Sequence, residues 1–226
     1  MPTGHGLPDT IGDATLRDVP YIWASSISKL MSGDCQCQWA MWFRAHYKHT
    51  KLPSNLEAWQ VTHNKLVLRR KDELIGDGFR VYVEAQNHFT LPSKDKKVKI
   101  GGRPDIIAVK SNNIVIEECK TGLPKNLDLT QLLLYMHLTP AVLAQCKGGA
   151  ITGRLVYTEK TIEVPTSRID DNFKSSFLKT IQIVKSDTPP SRTPSVQECG
   201  RCDISGLYCE DRIESANGEV VEHDLF

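Results

Sequence analysis

The 226 residues are 40% apolar, enough to build one ordinary domain or one domain with a small appendage, and this excludes collagen-like, disordered and membrane-spanning classes. Lys and Arg total 28 against 27 for Asp and Glu, a formal net charge of +1, so binding nucleic acid through a strongly basic overall field is excluded and any DNA contact must be local. No stretch approaches the roughly 18 uninterrupted apolar residues of a membrane span, and MPTGHGLPDTIGDATLRDVP lacks the apolar run of a secretory signal, so the expectation is a soluble, cytoplasmic protein with no membrane partner.

Residues 1–20 hold Pro2, Pro8 and Pro20 without an apolar period and read as a flexible arm. The segment SSISKLMSGDCQCQWAMWFRAHYK predicts two short helices around Gly33, the first opened by capping serines, with Cys35 and Cys37 at the junction. From Leu56 to Leu74, the residues Leu56, Trp59, His63, Leu66, Val67 and Leu74 recur at helical spacing and define one apolar face that includes His63. Beyond Gly76 and Gly78 the period changes to two: FRVYVEAQNHF, VKIGGRPDIIAV and NNIVIEECK predict strands, the last two paired as a hairpin through a turn at Ser111, Asn112 and Asn113. LDLTQLLLYMHLTPAVLAQC predicts a helix bent or interrupted near Pro140. Residues 148–164 return to short strands, DNFKSSFLKTIQIVK is an amphipathic helix, and TPPSRTP connects to a cysteine cluster and a polar tail, residues 213–226.

The hairpin carries the chemistry. Glu118 and Lys120, two apart on a strand, project from one face, and Asp105 lies one hairpin earlier, so two carboxylates and an ammonium converge. Such a carboxylate pair suits a hard divalent cation, which prefers oxygen ligands and keeps waters able to act as nucleophile. An isolated E-x-K is more often an exposed salt bridge, and a histidine on an apolar helix face is more often a core residue. Cys119 alternates to the face opposite Glu118 and Lys120 and reads as a buried thiol.

GGRPDII, EECKTG and Gln131-x3-Tyr135, in that order and preceded by His63, resemble the PD-(D/E)xK nuclease superfamily, in particular its RecB-like branch. The seven cysteines narrow the resemblance: Cys35 or Cys37 near the start, then Cys199, Cys202 and Cys209, resemble the branch members with an iron-sulfur cluster, among them the CRISPR-associated adaptation exonucleases. The resemblance implies an α/β fold with a restriction-endonuclease-like core, a mixed central sheet flanked by helices, spanning residues 21–212. It also implies an iron-sulfur appendage that joins segments 25–48 and 195–212. It implies Mg²⁺ or Mn²⁺ held by His63, Asp105, Glu118 and the Cys119 backbone carbonyl, with Lys120 activating water and Gln131 and Tyr135 orienting the lysine or the DNA strand. A 4Fe-4S cluster on Cys37, Cys199, Cys202 and Cys209 follows from the same resemblance. Cys37 is preferred over Cys35 because Trp39, Trp42 and Phe43 follow it as aromatics follow the corresponding cysteine in the family it resembles, although the family's Cys-Pro at that position is absent; a four-thiolate set could also hold zinc.

The implied activity is hydrolysis of DNA, single strands or frayed ends preferred, in CRISPR spacer acquisition with integrase partners. Phage or host recombination and repair is the alternative setting, and a non-catalytic iron-sulfur DNA-binding module or a metal-clipped structural protein is the alternative of another class. Arg69, Arg70 and Lys97 are candidate phosphate contacts, although a solvated face is the commoner meaning of such charge runs. The aromatic segment around Trp39 and Trp42 has two uses open to it, packing around the cysteines and base stacking.

Overall fold

A computed structural model describes residues 7–52 and 57–214. Short strands β1 (Thr10–Ile11), β2 (Ala14–Leu16) and β3 (Tyr21–Trp23) lead into α1 (Ala24–Ser32) and α2 (Gln38–His46). Strand β4 (Tyr47–Lys48) and the long helix α3 (Glu57–Gly76) follow, then β5 (Arg80–Val83), β6 (Phe89–Pro92), β7 (Lys99–Gly102), β8 (Ile106–Lys110) and β9 (Asn113–Lys120). The chain continues through α4 (Asn126–Val142), β10 (Ala150–Tyr157), β11 (Thr161–Pro165), α5 (Asp171–Lys185) and α6 (Val196–Gly200).

The protein is α/β, with mixed sheets flanked by helices. The central sheet has the order β11-β10-β9-β8-β5, in which β9 and β10 run parallel and every other neighbour is antiparallel. Its two faces are buried in different company, as the two-residue period of β9 requires. Ile114 and Ile116 pack with Leu132, Leu134 and Met136 of α4, whereas Val115 and Cys119 pack with Leu66, Val67 and Leu74 of α3. A second mixed sheet, β3-β7-β6, and an antiparallel one, β1-β2-β4, complete the described residues.

Local chemistry fixes the ends of several elements. Gly33 closes α1 in the left-handed region at φ 79°, donating its N–H to Leu30 O. Asp170 caps α5 by accepting from the Phe173 N–H at 2.8 Å. The glycine pair of GGRPD is needed for packing: a Cβ on Gly101 would lie 1.8 Å from Tyr21 Oη, and one on Gly102 2.3 Å from Phe89 Cζ.

Four expectations change. Residues 10–16 are not a loose arm but a strand pair, with Ala14 fully buried and Tyr208 donating to Asp13. The first helix is capped by Trp23 with no side-chain bond, and the serines lie inside it. VKIGGRPDIIAV is two strands of different sheets, β7 and β8, parted at Arg103, Pro104 and Asp105, where proline cannot donate to a ladder. Trp59 is 43% exposed although it shares the helical period with buried Leu66, Val67 and Leu74. Leu56 and residues 215–226 of the tail lie outside the described residues. Among the described residues no helix is long and apolar enough to cross a membrane.

Candidate active site

The hairpin register places the acidic residues. Ile106 opposes Glu117, so Asp105, at the bend before β8, comes level with Glu118 at the end of β9. Asp105 Oδ2 accepts the Cys119 N–H at 2.8 Å and meets His63 Nε2 of α3 at 3.2 Å. Glu118 and Lys120 share the α4 face of β9, and there Gln131 joins them: its Nε2 donates to Glu118 Oε1 at 2.7 Å and its Oε1 accepts from Lys120 Nζ at 3.0 Å. Lys120 Nζ also donates to Glu118 Oε1 at 3.1 Å. Tyr135 Oη lies 3.3 Å from Gln131 Nε2, one helical turn on. The six residues His63, Asp105, Glu118, Lys120, Gln131 and Tyr135 thus meet at one end of the central sheet.

Burial makes the charges interact strongly. Loss of water around Glu118, and then the nearby charge of Asp105, pushes its carboxyl up to about 8 against the pull of Lys120. Burial lowers the basicity of His63, but the Asp105 hydrogen bond and the charges of Asp105 and Glu118 outweigh it and hold the imidazole above its ordinary value. Lys120 behaves alike: desolvation opposes its charge, and Glu118, Asp105 and Asp128 restore it. Extra protons therefore offset the negative charge of this pocket.

Among the described residues no group of three His, Cys, Asp or Glu side chains stands in finished metal-binding geometry. The donor set nevertheless fits a hard cation. Glu118 Oε2 is buried without a hydrogen-bond partner among the described residues. The 3.2 Å between His63 Nε2 and Asp105 Oδ2 is close to the spacing of neighbouring octahedral ligands, about 3 Å for bonds of ~2.1 Å.

Two residues absent from the sequence reading belong here. Asp128, at the start of α4, has Oδ1 4.0 Å from Lys120 Nζ, and its Oδ2 accepts from Tyr157 Oη at 2.9 Å. Tyr157 stands beside Lys120 in the parallel β9–β10 register. A carboxylate three residues before Gln131, within one turn on the same helix, was the available signal.

The proposed phosphate contacts divide. Arg70 is not a free cation: its Nε and Nη2 grip the fully buried Glu117 at 2.8 Å each, and Nη1 reaches Glu73 at 2.7 Å. Glu117 points to the α3 face, opposite Glu118, and needs this partner to be buried at all. Arg69 is half exposed beside Glu73. Lys97 is exposed in the turn between β6 and β7, on a sheet other than the one carrying the carboxylates. Trp39 and Trp42 are buried, packed with Phe43, Tyr47, Ile204 and Tyr208, and Trp42 Nε1 donates to Ser186 O at 2.7 Å, so both are core residues and neither offers a free face.

The cysteines lie beside that same core. Cys37, Cys202 and Cys209 pack against it, while Cys199 is buried in α6. Arg44 Nη2 donates to Cys202 Sγ at 3.2 Å. The Glu198 carboxylate joins the chain ends, accepting from the Gln36 N–H at 2.8 Å and the Cys37 N–H at 3.1 Å. Cys35 Sγ faces Glu198 Oε2 at 3.5 Å instead, and burial together with that carboxylate pushes its thiol up to about 11. Cys119 and Cys146 are buried elsewhere.

No protein-family model and no curated protein matches the chain. The solved structure described as "Crystal structure of SSO0001" is similar over 88% of this chain and 90% of that chain, with 16% identity and a TM-score of 0.45.

Proposed function

We propose that the protein is a divalent-metal-dependent DNA nuclease with a restriction-endonuclease-like core and an iron-sulfur appendage. The observation that carries this reading is Glu118: one carboxylate oxygen is held by Lys120 and Gln131, and the other is buried beside Asp105 without a hydrogen-bond partner among the described residues. A buried carboxylate left half-satisfied is costly in a structural site and useful to a cation. His63, Asp105, Glu118 and the Cys119 carbonyl would hold Mg²⁺ or Mn²⁺. When bound, the cation supplies Lewis acidity at the phosphoryl oxygen and an acidified water. Lys120, fixed between Glu118 and Gln131, orients that water and offsets charge on the phosphorane, and Tyr135 steadies Gln131.

Cys37, Cys199, Cys202 and Cys209 would carry a 4Fe-4S cluster clipping the two ends of the chain, with Glu198 holding the loop that bears Cys37. The substrate is DNA, single strands or frayed ends preferred. The setting this fits is CRISPR spacer acquisition alongside integrase proteins, or recombination and repair with the same chemistry. The test is cleavage of end-labelled single-stranded DNA with Mg²⁺ or Mn²⁺ against EDTA. Asp105→Ala and Glu118→Ala should each abolish cleavage in folded protein, and undiminished cleavage by both variants removes the reading.

A further inference from the structure

Of the four tryptophans, Trp39 and Trp42 are core residues, whereas Trp23 and Trp59 are exposed. Trp59 differs from the other exposed apolar residues of α3, the aliphatic Val61, Leu68 and Ile75, because it adjoins the candidate site. Its indole stacks on the His63 imidazole at 4.9 Å between ring centres and 23° between planes. The same imidazole meets Asp105 through Nε2. One indole face is therefore taken by a candidate metal ligand, while 43% of the residue remains open to solvent.

From this we infer that Trp59 is the nucleobase platform of the active site, stacking on an unpaired DNA base next to the phosphodiester to be cut, an inference that rests on the nuclease reading above. A large aromatic face left in water is unfavourable, and its stacking on the imidazole fixes the ring in one orientation before a ligand arrives. Any base offers a π-face, so the contact is tolerant of sequence; a base inside a duplex has both faces occupied by its neighbours and cannot use it. The net charge of +1 supplies little general attraction to a phosphate backbone, so a stacking contact is the kind of interaction that selects a single strand here. Shielding His63 accounts for one face of the indole and leaves the exposed remainder without a use.

The experiment measures binding of fluorescein-labelled oligo(dT), intact or with one abasic position, by full-length protein in Ca²⁺. Trp59→Ala should weaken binding of intact single strand about tenfold or more, the loss typical of one base–aromatic stack. Trp59→Tyr should recover most of it, and Leu68→Ala on the same helix should change nothing. The abasic position should weaken the native protein but not Trp59→Ala, and blunt duplex affinity should be equal in all variants. Equal single-strand affinity of Trp59→Ala and native protein overturns the inference. So does a loss in Trp59→Ala matched by an equal loss of Mn²⁺ affinity with no response to the abasic position, which would make Trp59 a support of His63 alone. Because binding is read without hydrolysis, absence of Mg²⁺- or Mn²⁺-dependent cleavage by native protein overturns the nuclease reading separately.

Discussion

Gln131 holds Glu118 and Lys120 with a single amide, donating to the carboxylate at 2.7 Å and accepting from the ammonium at 3.0 Å. The amide fixes which carboxylate oxygen faces the lysine and thereby leaves Oε2 without a hydrogen-bond partner among the described residues. The support continues outward through Tyr135 to Phe89, whose ring meets Tyr135 edge-on and lies where a Gly102 side chain would be. A packing requirement at Gly102 is thus connected, through three side chains, to the orientation of the candidate ligand.

Gln131→Ala should therefore lower the cleavage rate by about 10- to 100-fold, the usual cost of losing a group that orients a ligand. The fold should survive, since Leu132, Leu133 and Leu134 still bury α4. Single-turnover cleavage and a thermal melt on the same preparation check this. A rate within twofold of the native protein would make Gln131 a bystander.

The raised carboxyl of Glu118 gives a pH dependence with a definite sign. Its protonated form is favoured by the fold, so the stabilisation is full below the ordinary value, 4.5, and is lost as pH rises through about 8. His63, held above 6.5, contributes in the same direction. In EDTA the Tm should fall across this window. Glu118→Gln should flatten the fall, and Mn²⁺ should counter it by replacing the missing protons with a cation. Parallel Tm–pH curves for native protein and Glu118→Gln would contradict the assignment.

Arg70→Met should destabilise the protein by about 3 kcal/mol or more, because it leaves the fully buried Glu117 carboxyl with Arg154, 3.4 Å away, as its remaining cationic partner among the described residues. Arg70→Met with Glu117→Leu should recover most of that loss. Urea unfolding measures both. If Arg70 served DNA instead, the single variant would keep its stability and show a shallower salt dependence of binding.

The sequence made the chemistry of the hairpin legible and left its surroundings obscure. Glu118 and Lys120 follow from a period of two, and Asp105 from the short turn at Ser111 and Asn112, both local rules. His63 and Trp59 fell on one helical face, but a period reports direction and not depth, and the end of α3 leaves Trp59 in solvent. Arg70 looked like part of a charge run because its partner Glu117 lies 47 residues away. The strands at 10–16 are two and three residues long, too short to show any period. They are held by distant contacts, Tyr47 Oη donating to Pro8 O and Tyr208 to Asp13.

The choice between Cys35 and Cys37 rests on where each thiol goes. Cys37 is the N-cap residue before α2 and packs with Cys202 and Cys209 against the aromatic core, so its sulfur shares an environment with two of the C-terminal thiols. Cys35 Sγ instead faces the Glu198 carboxylate at 3.5 Å, a negative charge that with burial pushes its thiol up to about 11 and so opposes the thiolate form a cluster ligand takes. Anaerobically purified protein should be brown with about four irons per chain, as Cys₄ ligation of a 4Fe-4S centre requires. Cys37→Ser should lose iron and colour, while Cys35→Ser should keep both. Glu198→Ala should also lose iron although it removes no ligand, because its carboxylate holds the Gln36 and Cys37 amides from 161 or more residues away and so presents the N-terminal thiol to the C-terminal ones. Full iron in Cys37→Ser with bleaching of Cys35→Ser reverses the ligand choice. Zinc without iron under strict anaerobic handling replaces the cluster by a four-thiolate zinc clip, and the nuclease site stands apart from either result.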